Sequence, residues 1–331
     1  MIATIIGGSG FIGSRLCQRL HLAGINFNII DKSPSKFFQD KVTIADIRDY
    51  KALFQALKPC DVVINLAAEH RDDVTPISLY DEVNVKGSEN IVKVCSDKGI
   101  NSIIFTSSVA VYGFAPPNTG EDGSINYFND YGRTKWEAEK VYTAWYEEKP
   151  KERNLTIVRP TVVFGERNRG NVYNLLKQIN SGLFRMFGSG ENVKSMAYVE
   201  NVAAFIEYMM THENGKQIYN YVDKPDFTMN ELVCLVKETM GKKPSTGVHL
   251  PYWMGYAGGI FFDGLASIFH RKFPISRIRV KKFCSTTQFN TRIPKDTQFK
   301  PPVSLKEGLV RTIQFEFLNK YDSDEVLFYS E

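Results

Sequence analysis

Ala3-Thr-Ile-Ile-Gly7-Gly-Ser-Gly10-Phe11-Ile12-Gly13 decides the fold. A β-rich run enters a G-x-x-G-x-x-G turn, and an amphipathic stretch over residues 11–23 leaves it. That context, strand then glycines then helix, turns a weak motif into a dinucleotide-binding one. Gly7 permits the tight turn, Gly10 lets backbone approach a pyrophosphate, and Gly13 allows close packing of the helix. Phe11 and Ile12 open that helix, whose amides and dipole favour an anion. Downstream the same alternation repeats. FNII (27–30), VTI (42–44), DVVINL (61–66), SIIFTSS (102–108) and LTIVRP (155–160) are separated by longer segments, among them helices over 49–58, 76–98 and 131–148. Such alternation predicts an α/β fold, a Rossmann-type doubly wound parallel sheet. After Pro160 the elements shorten. Helices are predicted near 171–181 and 200–210, and Thr228-Met-Asn-Glu231 forms a capping box that opens another. The expected division is a NAD-binding Rossmann domain over 1–164 and a smaller α/β C-terminal substrate-binding domain over 165–331, with some segments returning to the first sheet.

Composition narrows the function classes. The 331 residues and 43% hydrophobic content suit one large core or two modest ones. The opening residues lack a basic n-region or a signal-type apolar stretch, so a cytoplasmic protein is expected. Five scattered cysteines without C-x-x-C, and five histidines without ligand spacing, predict neither a disulfide framework nor a metal. A net charge of +4 does not call for nucleic acid. Six basic residues do gather at Arg271, Lys272, Arg277, Arg279, Lys281 and Lys282.

Asp31 ends the second strand, where a carboxylate accepts from the adenosine ribose hydroxyls and repels a 2′-phosphate. This favours NAD, although Lys32 beside it leaves some NADP use open, as does a reading of Asp31 as a turn cap. Asp46 and Ile47, after the third strand, are placed to meet the adenine. Tyr131-Gly-Arg-Thr-Lys135 sets a phenol and an ammonium on one helical face. The lysine, assisted by the positive nicotinamide ring, is expected to depress the phenol pKa from about 10 by one to three units, making a general base. A second Y-x-x-x-K, Tyr173 and Lys177, shows that the spacing alone is weak. Tyr131 is preferred because it follows the serines that end a strand at the carboxyl edge of the sheet. Of these, Ser108 is expected to bond both substrate and tyrosine, with Ser107 pointing the other way.

GGSGFIG (7–13), NLAA (65–68), TSSVAVYG (106–113), YGRTK (131–135) and VRP (158–160) together resemble the NAD-dependent epimerase/dehydratase family, a branch of the extended short-chain dehydrogenases. AAEHRDDV (67–74), GERNRGNVYNLLKQI (165–179), KSMAYVEN (194–201), YNYVDKPD (219–226) and IRVKKFC (278–284) resemble more particularly its bacterial 4-epimerases acting on polyprenyl-diphosphate-linked N-acetylglucosamine in O-antigen pathways. The resemblance implies NAD as cofactor and Ser108, Tyr131 and Lys135 as the catalytic set, with Tyr131 and Lys135 also meeting the cofactor. It extends the cofactor site to Leu66, Ala67, Ala68, Asn84 and Pro160. It implies a GlcNAc/GalNAc interconversion through a 4-keto sugar, with Ser108, Lys194, Arg169, Asn171 and one of Arg277 or Arg279 on the substrate.

Where UDP-galactose epimerases carry an arginine on the diphosphate this chain has Lys194, and where they carry an asparagine after R-x-F it has Val162, so the UDP handle is in doubt. A nucleotide-linked amino sugar nevertheless stays open, as do a 4-keto-sugar reductase and a non-enzymatic NAD-sensing regulator. LPYWMGYAGGIFFDGLASIF (250–269) is too short and interrupted to span a bilayer. Its aromatics beside basic residues suit peripheral contact with the membrane surface, and a core or dimer face fits it equally well. A homodimer through the helices near 76–98 and 131–148 is expected of the family.

Overall fold

The computed structural model describes residues 1–71, 74–182, 184–212, 215–269, 277–319 and 326–329, and only the backbone of 261–269, 277–279 and 282. Twelve strands are described: β1 (Ile2–Ile6), β2 (Asn26–Asp31), β3 (Val42–Ile44), β4 (Val62–Asn65), β5 (Ser102–Thr106), β6 (Asn154–Pro160), β7 (Val162–Phe164), β8 (Met186–Phe187), β9 (Val193–Tyr198), β10 (Lys216–Tyr221), β11 (Asp223–Thr228) and β12 (His249–Leu250). Seven of them form one sheet in the order β10-β6-β5-β4-β1-β2-β3. Every pairing within it is parallel. The order reverses between β1 and β4, which opens a crevice at the carboxyl ends of these strands. Their near-continuous apolar character follows from burial on both faces: all four residues of β4 and all five of β5 are buried.

Helices Phe11–Leu22 and Val199–Met209 cover one face through Leu16, Leu20, Val202 and Phe205. Helices Gly87–Asp97 and Asp130–Glu148 cover the other through Ile91, Val94, Tyr142 and Trp145. Each such side chain contributes about 1.5–3 kcal/mol on burial. A third core, with Leu176, Met196, Leu232, Val236 and Leu309, lies under the smaller elements. There β9 pairs antiparallel with β11 and parallel with β7, and β8 pairs with β12.

After the smaller elements β10 adds an edge strand to the large sheet, beside β6. Traffic also runs the other way, because β7, directly after β6, belongs to the small sheet. The capping box is present: Thr228 Oγ1 accepts from Glu231 N at 3.1 Å, and Glu231 accepts from Thr228 N at 2.8 Å. The helix expected over 76–98 is broken by a wider turn at Asp81–Lys86, which re-aims Asn84.

Candidate active site

At the end of β1 the chain turns at Gly7 with φ +82°. A Cβ on Gly7 would lie 2.6 Å from Ala67 N, and one on Gly13 would lie 2.5 Å from Gly7 O. Both glycines are therefore backbone contacts. Gly10 differs: a Cβ there meets only Gly7 O at 3.3 Å, so its absence leaves open ground above the helix start. As N-cap it has no side chain to satisfy the first-turn amides, which leaves Phe11 and Ile12 N–H groups available to an anion. Gly13→Ala is expected to push the helix off the turn, at a cost of about 1–3 kcal/mol. Urea denaturation, together with NAD content after purification, checks this; an unshifted midpoint would reject the close-packing role.

Asp31 accepts from Ser9 N and Ser33 N, each at 3.0 Å, and so joins the glycine turn to the loop after β2. Lys32 is exposed beside it. Asp46 is gripped by Arg48 at 2.7 Å, and that hydrogen-bonded guanidinium holds its carboxyl below the usual range. Arg48 was not legible as a neighbour of this site. Ile47 is buried under Gly87, where a Cβ would come within 2.5 Å of its side chain. Leu66, Ala67 and Ala68 line the crevice behind Gly7, and Pro160 is buried at the end of β6. Asn84 is spent on protein partners: it accepts from Glu69 N at 2.8 Å and donates to Glu69 O at 2.9 Å and Thr134 Oγ1 at 3.0 Å. It thus ties the loop after β4 to the helix that carries Tyr131.

That helix, Asp130–Glu148, is capped by Asn129, which accepts from Gly132 N at 2.9 Å. Gly132 brings it against the turn that carries Ser108, since a Cβ there would sit 2.5 Å from Ala110 O. Ser108 caps the turn Val109–Tyr112, accepting from Ala110 N at 3.1 Å, and its hydroxyl is near enough to the Tyr131 phenol to lower that group's pKa. Ser107 faces away, buried, its hydroxyl without a protein partner. Arg133 makes a two-pronged pair with Asp81 at 2.8 and 2.7 Å, which fixes the helix rotation.

Lys135, one turn beyond Tyr131, is 3% exposed, with its amine 4.5 Å from the Phe105 ring centre. Burial pulls its pKa down to about 7, and Glu139 pushes back. Tyr131 does not show the expected depression. Desolvation pushes its phenol up to about 12, and the nearby Ser108 hydroxyl only moderates this. The physical reason is that the protein desolvates both groups, so an ammonium that itself ionises near neutrality gives the phenol little charge to lean on.

The other Y-x-x-x-K pair is structural: Tyr173 stacks on Phe317 at 5.7 Å and lies under Arg169. Arg169 itself pairs with Glu316. Asn171 is exposed at the start of helix Asn171–Asn180. Lys194 is largely buried and donates to Ser285 O at 2.6 Å; burial brings its amine down to about 8. Ser285 lines a cavity of about 210 Å³ with Gly113, Phe114, Lys281, Thr286 and Thr287, which follows the Ser108 turn. The side chains of Arg277 and Arg279 lie outside the described residues, although their backbone begins helix Arg277–Cys284. The glycine turn, Asp31 and Ser108 thus follow the carboxyl ends of β1, β2 and β5, and the helix bearing Tyr131 and Lys135 packs against the Ser108 turn through Gly132.

This is the arrangement of a nicotinamide-dependent short-chain dehydrogenase fold, and the chain belongs to the NAD dependent epimerase/dehydratase family, whose model matches residues 3–221. The chain is 50% identical over 329 residues, 99% of its length and 98% of the relative's, to the N-acetyl-alpha-D-glucosaminyl-diphospho-ditrans,octacis-undecaprenol 4-epimerase of Escherichia coli O157:H7. It is 29% identical to the UDP-glucose 4-epimerase of Vibrio cholerae, covering 94% of each chain. Among solved structures, MoeE5 in complex with UDP-glucose and NAD shares the fold, with a TM-score of 0.75 at 22% identity over 95% of this chain and 98% of that one.

Proposed function

We propose that this protein is a NAD-dependent 4-epimerase that interconverts GlcNAc and GalNAc carried on polyprenyl diphosphate, for surface polysaccharide synthesis. The observation that carries the reading is the identity of 50% along almost the whole chain to the undecaprenol-linked epimerase, against 29% to the UDP-glucose enzyme. The site residues fit NAD: Gly10 leaves the space a pyrophosphate needs, Asp31 stands where a ribose is met, and Lys135 lies within the crevice. NAD, when bound, would supply a reversible hydride acceptor for the sugar C4. Tyr131 Oη accepts the proton of the 4-hydroxyl, with Ser108 orienting both oxygens. The keto sugar turns, Tyr131 returns the proton, and C4 inverts with no net redox change. Lys135 would hold the nicotinamide ribose of bound NAD, and the positive charge that favours the phenolate would come chiefly from the nicotinamide ring.

For the diphosphate, Lys281 and the Lys194 amine behind Ser285 flank the cavity beside the Ser108 turn, and its Thr286 and Thr287 hydroxyls are neutral donors. The helix Tyr252–Phe269 supports a peripheral membrane contact. Its Gly255 packs against Phe187, while Trp253, 68% exposed, Met254 and Ile260 point outward. No described helix is long and apolar enough to cross a membrane. A homodimer through the helices at 76–98 and 131–148 completes the reading.

The test incubates purified protein, without added cofactor, with polyprenyl-diphosphate GlcNAc and separately with UDP-GlcNAc. Conversion of the lipid-linked sugar to its GalNAc epimer is expected. Turnover of UDP-GlcNAc alone would keep the mechanism and reject the carrier; turnover of neither would favour a 4-keto-sugar reductase.

A further inference from the structure

We infer that Arg159 and Glu139 are positioning residues, which lock the turn bearing Ser108 to the helix bearing Tyr131 and Lys135. The inference rests on the proposed reading of those three residues as the reacting set.

Arg159, near the end of β6, is 2% exposed, and Glu139 is 1% exposed. They meet in a two-pronged pair, Arg159 Nε to Glu139 Oε1 at 2.8 Å and Nη2 to Oε2 at 2.5 Å. The remaining arm, Nη1, donates to the Tyr112 hydroxyl at 2.5 Å. That hydroxyl in turn donates to Asn220 Oδ1 on β10 at 2.9 Å. Asn220 Nδ2 reaches Asn290 O at 3.0 Å, so the segment after helix Arg277–Cys284 is held as well.

Both arms of the arginine end four residues from the chemistry. Tyr112 closes the turn that Ser108 caps. Glu139 lies one helical turn beyond Lys135, on the same face. Its carboxylate is also the charge that offsets the burial of the Lys135 amine. A buried ion pair is a poor way to gain stability, since well-packed apolar residues of similar volume do as well or better. What apolar residues lack is direction. A planar forked guanidinium that holds both Glu139 oxygens and the Tyr112 hydroxyl, with Glu121 O a longer fourth contact at 3.4 Å, fixes the angle between the strand end, the turn and the helix.

The test separates direction from stability. In the double variant Glu139→Leu/Arg159→Met both charges go together, so the fold keeps a packed interior and its melting temperature is expected to stay near wild type. NAD should still be present after purification, and KM should be unchanged. The value of kcat should fall about 100-fold, the scale of a misplacement of about 1 Å. Tyr112→Phe removes only the hydroxyl that links Arg159 to the Ser108 turn and leaves both charges paired; it should lower kcat about tenfold at unaltered KM, on the same argument. Assays use whichever carrier the wild type accepts. Wild-type kcat in a folded double variant, or in Tyr112→Phe if the double variant does not fold, overturns the positioning role. A wild type inert on every carrier instead overturns the reading of the site, and the inference with it.

Discussion

Tyr131→Phe is expected to abolish epimerisation, by about 10³-fold or more, while leaving NAD bound and the fold intact. The ring stays, so the packing around it is kept; what goes is the hydroxyl beside Ser108. Ser108 retains Ala110 N as a partner, so no orphaned group is created. Loss of a positioned acid–base group costs about 10²–10⁴-fold, and here one group both removes and returns the proton. With the phenol pushed up to about 12 by the protein, it holds its proton at neutral pH until positive charge comes close. Hydride exchange and proton exchange should therefore fail together, read as epimer ratio and as absorbance of reduced cofactor. A Tyr131→Phe enzyme working within tenfold of wild type would show that Tyr131 is a bystander.

Lys135→Met should be equally inactive, yet more stable than wild type. The lysine pKa is about 7 in the folded protein against 10.5 for the ordinary group, because the amine is desolvated. The sign follows from proton counts. Between pH 7 and 10.5 the unfolded chain keeps the proton while the folded one has lost it, so stability rises with pH across that window. At pH 7 and below the folded state carries the full penalty, which at about 1.4 kcal/mol per pKa unit is on the order of several kcal/mol. Methionine fills the same space without the charge; it forfeits the contact with Phe105, worth about 1 kcal/mol, and the attraction of Glu139, which is already counted in the lysine's pKa. Urea denaturation at pH 6.5 should show Lys135→Met as the more stable protein, and the gap should close as pH approaches 10.5. A constant gap, or none at pH 6.5, would mean that the amine is not buried as described.

The glycine turn, the six strands that carry the crevice and the Thr228 capping box were legible because each is written within a few residues of itself. Y-x-x-x-K was legible only with its context, and Tyr173 and Lys177 show why: the same spacing there serves a stack with Phe317. What local sequence could not carry is pairing at a distance. Arg169, which the resemblance puts on the substrate, is paired with Glu316, 147 positions away. The strand Asp223–Thr228, with Asp, Lys and Pro in six residues, has no strand signature; it forms because β9 offers an edge to pair with. Likewise the broad turn at Asp81–Lys86 sits inside an unbroken amphipathic pattern, and Arg133 meeting Asp81 is what holds it in register.

The exchange of strands between the two sheets bears on how such proteins can diversify. The chain leaves the large sheet after β6, spends β7 and β9 in the small one, returns for β10 and departs again at β11. No single crossover point divides a cofactor half from a carrier half, so a gene recombined once in this region would mix strands of two parents within one sheet or the other. New carrier preferences must then accumulate by substitution at the surface loops, with the hydride chemistry inherited unaltered beneath them.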